Sequence, residues 1–304
     1  MTTSAPITGR GRSNDAPRLR ARGPFVALAA LAACALSGCA NLASNAMAGL
    51  GRDLTAGVLN QDDPQTVADG LPAYLLLLDG LLEGDPGNDA MLLAASRLNG
   101  AYAGGFVDDA ARRTQLSRKS LDLARRATCA REPGFCAALD ADFERYDAAV
   151  ARLGPEQLEL AYALASAWAG VVQADSGDLN RIAELPKIES LFRRIVALDR
   201  GHDHGGALMY LGVLSSLRPE SLGGTPAAGR EAFEAAIEVS GGNNQMARVL
   251  YAEYYARLTF DQALHDRLLE AVIAADPKAP GLTLANVLAQ RRARVLLESG
   301  QAYF

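Results

Sequence analysis

Apolar residues beyond about position 40 recur at three- and four-residue intervals, in stretches of helix length, and no stretch alternates with period two. That spacing leaves little but helices to build with. The run LPAYLLLLDGLLEGDPGN, Leu71 to Asn88, shows the pattern. Leu71, Tyr74, Leu75, Leu78, Leu81 and Leu82 fall on one helix face, and Leu76 and Leu77 add apolar surface on a second side. A membrane span needs ~20 apolar residues, and Asp79 and Glu83 interrupt this run early. Asp85-Pro86-Gly87-Asn88 ends it with turn residues. A helix that is apolar most of the way round is expected inside a stack of helices.

Alanine and leucine dominate the rest of the chain, and β-branched residues are sparse. Helices are expected near 42–59, 65–83, 88–104, 108–128, 135–152, 155–174, 178–199, 204–217, 226–239, 243–258, 261–275 and 281–297. The breaks are Asp-Pro, Gly-Gly and Pro-Gly pairs, and short connections make consecutive helices antiparallel neighbours. The expected fold is therefore all-α, an array of antiparallel helical hairpins. Gly229, Phe233 and Ala236 keep a small-aromatic-alanine spacing that resembles the second helix of a tetratricopeptide (TPR) repeat. Ile188, Phe192 and Ile195 share its offsets; His265, Leu269, Val272 and Pro277 do so more loosely, as do Tyr74, Leu78, Leu81 and Pro86. Successive matches lie roughly 36 to 71 residues apart, so the resemblance is to divergent TPR-like repeats rather than tandem units of about 34. In this reading Leu71–Asn88 is the packed second helix of a hairpin.

The N-terminus has a different character. Arg10, Arg12, Arg18, Arg20 and Arg22 stand against one acid, Asp15, and the apolar run Phe25–Leu36 follows. This is the layout of a signal peptide. The run ends in Leu36-Ser37-Gly38-Cys39, which resembles the lipobox of bacterial lipoproteins. There the peptide is cut before the cysteine, which carries lipid on its sulfur and an acyl group on its new amine. The competing reading is an ordinary secretory cleavage site with a stray cysteine. On the lipobox reading, residues 1–38 are removed, 39–63 form a lipidated N-terminus and leading helix, and 64–304 form the helical domain. Cys39 would anchor the protein to a membrane, facing the periplasm. By resemblance to lipoprotein sorting, Ala40 in place of Asp permits outer-membrane delivery.

Removing the leader takes away five arginines and one aspartate, so the net charge falls from −5 to −9. That argues against a nucleic-acid partner, which calls for a basic patch. Of four cysteines, Cys34 leaves with the leader and Cys39 takes lipid. Cys129 and Cys136 flank Arg131-Glu132-Pro133-Gly134, a turn that would bring them within disulfide reach. An oxidising periplasm favours that pairing over two buried thiols.

Little in the chain reads as catalytic. His202-Asp203-His204 has a spacing that would hold a metal from a loop, but polar loop residues are expected between Asp199 and Gly205-Gly206 in any case. Gly223-Gly224-Thr225-Pro226 lacks the lysine of a phosphate loop and reads as a turn. No G-x-S-x-G elbow occurs, and Asp108-Asp109 opens a helix, where acids suit the dipole. The expectation is a protein that is not an enzyme and holds no metal or cofactor. Tyr251, Tyr254 and Tyr255 share a helix face with Arg248 and Leu258. They would either border an amphipathic ligand passage or pack between helices with their hydroxyls at water. Trp168, the single tryptophan, sits among small residues and is expected in the core.

Several longer phrases together resemble one family: LPAYLLLLDGLLEGDPGN, AYAGGFVDD, LASAWAGVV, ELPKIESLFRRIVALD, LYAEYYARLTFDQALHDRLL and ADPKAPGLTLANVLAQRRARVLLE. The family is the T component of tripartite ATP-independent periplasmic (TRAP) transporters, and the likeness covers about residues 40 to 304. The resemblance implies a periplasmic lipoprotein of divergent TPR-like helices that associates with the solute-binding P component. It also implies a homotrimer with a pore through each protomer, and hence passage of a hydrophobic small molecule. The alternative is a lipid-anchored TPR-like scaffold that only contacts proteins in the periplasm. An internal cavity would favour the first, and an open groove with charged walls the second.

Overall fold

In the computed structural model residues 56–304 are described, and every regular element among them is a helix. The leader, the Cys39 motif and most of the expected helix 42–59 lie outside the described residues. The helices are α1 (Pro64–Gly84), α2 (Asp89–Phe106), α3 (Ala110–Arg131), α4 (Pro133–Cys136), α5 (Phe143–Val150) and α6 (Leu158–Ala174). They continue with α7 (Leu179–Ile182), α8 (Leu185–Leu198), α9 (His202–Ser215), α10 (Pro226–Val239), α11 (Gln245–Leu250), α12 (Gln262–Ala274) and α13 (Thr283–Tyr303).

The turn residues that punctuate the sequence act as caps. Asp63 accepts from the Gln65 and Thr66 amides at the head of α1, and Asn88 from Met91 at the head of α2. Asp109, Asp142 and Asp261 do the same for α3, α5 and α12. Each satisfies an amide that has no partner inside its own helix. Pro64, Pro133 and Pro226 open α1, α4 and α10, where a missing N–H costs nothing.

Two expected helices are broken. The stretch 135–152 opens between α4 and α5, where Lys187 Nζ donates to the carbonyls of Leu139 (3.0 Å) and Ala141 (2.6 Å). A lysine reaching over from α8 replaces the helix's own partners. The stretch 178–199 divides at Glu184, whose carboxylate accepts from Trp168 Nε1 at 2.7 Å. Trp168 itself is in the core, with Tyr146, Phe192 and Ile188.

Neighbouring helices run antiparallel. Arg131 pairs with Asp89 (2.5 Å) and Ser96 Oγ donates to the Ser120 carbonyl (2.8 Å), so α2 and α3 align head to tail. Thr114 Oγ1 donates to the Ala174 carbonyl (3.1 Å), while Gln157 donates to Glu132 (3.0 Å), which sets α6 against α3 in the same sense. On α9, Gly212 lies under the fully buried Phe233 ring of α10. The Gly229–Phe233–Ala236 face is thus a close helix contact, made possible by small residues on both sides.

The last helix returns to the first. Leu284 and Leu288 of α13 pack with Val67, Leu71 and Leu75 of α1 and Tyr102 of α2. Gly281 N donates to Asn60 Oδ1 at 2.7 Å, and Lys278 pairs with Asp62 at 3.4 Å. The array closes into a ring instead of continuing as an open groove.

One expectation about α1 needs correcting. Leu71, Leu75 and Leu82 are buried, but Tyr74 and Leu81 are 39% and 38% exposed, and Leu77 and Leu76 are 56% and 72% exposed. The helix is not enclosed. α2 and α13 cover one side of it, and the leucines on its second side face outward.

Candidate functional site

Inside the ring lies a cavity of about 550 Å³. Its walls come from α2, α3, α6, α9 and α13, and the residues that face it are mostly small. α2 contributes Gly100, Ala101 and Gly104; α3 contributes Ser117 and Ser120; α6 contributes Ala163, Ser166, Ala167 and Gly170. Packed helices sit 8–10 Å apart between axes, and side chains of this size cannot fill the middle of a ring of five. Gly104 and Gly170 make the point most directly. A Cβ added at either meets no atom within 4 Å, so no tight contact demands a glycine there. Glycine in a helix interior costs roughly 0.5–1 kcal/mol against alanine, and here its effect is open space.

Polar groups stand at both ends. Tyr162 of α6 donates to Asp203 at 2.5 Å, and Tyr210 of α9 lines the wall beside them. Burial, then the Asp203 charge, pushes the Tyr162 phenol well above its ordinary value. The same two causes lift Tyr210 to about 12. Both are neutral donors at physiological pH. Arg97 is neutralised by Glu159, and His202 Nε2 stands 3.7 Å from the same carboxylate. Eleven residues further along α6 is Gln173, with Arg113 and Arg292 near it on the wall. Arg292 pairs with Glu253 at 2.6 Å. Arg113 is different: its Nε and Nη2 donate to the Val107 and Asp108 carbonyls at 3.0 Å each, and it pairs with no acid among the described residues.

The backbone that carries Asp203 is unusual. Asp203, His204 and Gly205 have φ of 49°, 54° and 81°, a left-handed break at the start of α9. Non-glycine residues rarely adopt this region, and single instances cost of the order of 1–3 kcal/mol. The Asn244 side chain holds the segment by donating to the His204 carbonyl (3.2 Å). Gly206 follows because a Cβ there would stand 2.1 Å from the Tyr162 hydroxyl. His202 and His204 part company across this break: His202 stacks edge-on against Tyr162, and the His204 ring lies beside Gly281.

The tyrosines Tyr251, Tyr254 and Tyr255 do not act as one face. Residues Tyr251–Ala256 form a π-helical turn in which each turn holds an extra residue, so the α-helical spacing no longer applies. Tyr251 is 3% exposed, stacks on Phe233 (ring centroids 5.4 Å) and donates to Glu234 at 3.0 Å. Tyr255 leans on Tyr251 and lines a separate, open groove of about 390 Å³ with Pro219, Leu258 and Thr259. Tyr254 does not itself line the cavity; it packs against the Phe233–Tyr251 cluster. Gln173 and Arg292 of the cavity wall approach its hydroxyl, and burial raises its pKa. Cys129 and Cys136 are disulfide-paired across the turn at Pro133-Gly134, with Cα atoms 4.8 Å apart, away from the cavity.

Sequence reasoning set His202-Asp203-His204 aside as a polar loop, and it passed over Arg113, Tyr162, Gln173 and Tyr210. One signal was available. Gly100, Gly104 and Gly170 are glycines inside otherwise strong helices.

Among the described residues no helix is long and apolar enough to cross a membrane. No curated protein matches the chain. A family model does: that of the TRAP transporter T-component, TAtT, matches residues 60–304. With a match over most of its length, an all-helical ring and no strand among the described residues, the chain belongs to the TRAP transporter T-component family.

Proposed function

We infer that this protein is a solute-handling accessory of a TRAP transporter, held at the periplasmic face of the outer membrane by lipid on Cys39. It docks the solute-binding P component and passes a small molecule through the cavity of its helical ring. The observation that carries this reading is the ring of helices around a partly open cavity of about 550 Å³. A scaffold that only contacts proteins has no need of glycines facing an empty interior. The helices are read as divergent TPR-like hairpins, with protomers assembling as a homotrimer. Hydroxyls and guanidiniums on the wall favour a polar solute over the hydrophobic one that the family resemblance implies. Of the three tyrosines, Tyr254 acts on the passage from behind its wall, through Gln173 and Arg292.

The test separates docking from passage. The full-length lipoprotein in detergent should co-purify with the P component of its own transporter. Gly170→Phe puts an aromatic ring into open space, and it should block solute transfer while docking and thermal stability persist. Loss of docking in the unaltered protein, or normal transfer through the plugged variant, would remove this function.

A further inference from the structure

Two charges on the cavity wall lack partners of opposite sign among the described residues, and they are not the same charge. Asp203 is bonded only by the Tyr162 hydroxyl, and Arg113 only donates to backbone carbonyls. The other ions on the wall, Arg97 and Arg292, are each neutralised by a glutamate. The two unpaired charges also stand at opposite ends. Asp203 sits at the Tyr162 end of α6. Arg113 sits at the Gln173 end, because its chain neighbour Thr114 bonds the Ala174 carbonyl. The helix rises about 16 Å between Tyr162 and Gln173 at 1.5 Å per residue. Between them the wall is glycine, alanine and serine, with few side chains that reach inward.

We propose that the cavity takes an elongated zwitterion, with its carboxylate on Arg113 and Gln173 and its ammonium on Asp203. This rests on the passage reading above and names its ligand class. Each wall charge then meets the partner it lacks, Asp203 at the exposed mouth and Arg113 half-buried further in. A guanidinium recognises a carboxylate with two parallel donors, and Arg113 keeps Nη1 without a partner among the described hydrogen bonds. The left-handed break at Asp203 gains a role as well. It turns the carboxylate off the helix axis and against Tyr162, at the exposed mouth of the cavity. A three-residue peptide, at ~3.3–3.6 Å per residue, spans about 10 Å, which suits two side chains reaching inward from ends about 16 Å apart along the helix.

Calorimetric titration of the full-length protein in detergent with triglycine, N-acetyl-triglycine and triglycine amide tests the proposal. Triglycine should bind, and each capped form should bind at least tenfold more weakly. Arg113→Gln should weaken triglycine tenfold or more and leave the amide unchanged. Asp203→Asn, which keeps a residue tolerant of the left-handed region, should weaken triglycine and leave the acetylated form unchanged. Equal binding of capped and free forms, tighter binding of octanoate, or no binding by any peptide probe would overturn the zwitterion assignment. Retention of the P component by the same preparation then shows whether the transporter reading survives that result.

Discussion

A single methyl group, added at two glycines, should move stability in opposite directions. Gly170 and Gly212 both lie inside helices, α6 and α9, and replacing either with alanine removes the same backbone entropy penalty, about 1 kcal/mol. At Gly170 nothing stands within 4 Å of the new Cβ, so the gain should appear undiminished. At Gly212 the Cβ would meet three ring carbons of Phe233 at 2.7–2.8 Å. That ring cannot retreat, because it is fully buried and stacked on Tyr251. Overpacking of this kind costs typically 1–3 kcal/mol, enough to cancel the helix gain and reverse the sign. In a domain of this size 1 kcal/mol shifts Tm by roughly 2–4 °C. Gly170→Ala should therefore raise Tm by a few degrees in differential scanning calorimetry, and Gly212→Ala should lower it. A rise for both would mean that α9 and α10 are not pressed together at Phe233. A fall at Gly170 would mean that the cavity is filled where open space is described.

Further expectations concern the anchor, the disulfide, the tyrosines and one cap. Cys39→Ser should abolish incorporation of labelled fatty acid; a mutant that is still labelled would refute the lipobox. Unreduced peptide mass spectrometry should show the Cys129–Cys136 cross-link, and Cys136→Ser should cost less than the ~3 kcal/mol of a 15-residue loop, since the loop closed here is shorter. Tyr251→Ala should destabilise the fold by about 3–5 kcal/mol through the cavity left against Phe233. Tyr254→Phe should leave urea stability almost unchanged and alter solute retention alone. Asp63 is held below its ordinary pKa of 3.8, first by the Thr66 hydroxyl and then by the Gln65 amide. Its stabilising effect is therefore full above that value and lost as pH falls through the lower folded pKa. Asp63→Asn should flatten that part of the acid-unfolding curve, and an unchanged curve would show that the cap is not ionised there.

The helices were legible because their signals are local. A leucine at i, i+3 and i+4, an aspartate before a turn of amides, and a proline at the first helical position each act within a few residues. The expected boundaries accordingly fall close to the observed ones for α1, α2 and α10. Where a distant side chain intervened, local reading missed the result. Lys187 takes the carbonyls that would have joined α4 to α5, and Glu184, which accepts from the Trp168 indole, sits where α7 and α8 part.

The cavity lies further still from local information. Periodicity places Arg113, Gly170 and Asp203 on their own helices, but carries no record of which faces meet across a ring. Only the return of α13 onto α1, through Leu284 and Leu288, encloses the space that their side chains share. The outward leucines of α1 and the division of the tyrosines follow from the same cause. Hydrophobic burial is non-directional and roughly proportional to area, so sequence sets how much apolar surface seeks cover. The packing of distant helices decides which of it finds cover and where charge is left facing a gap.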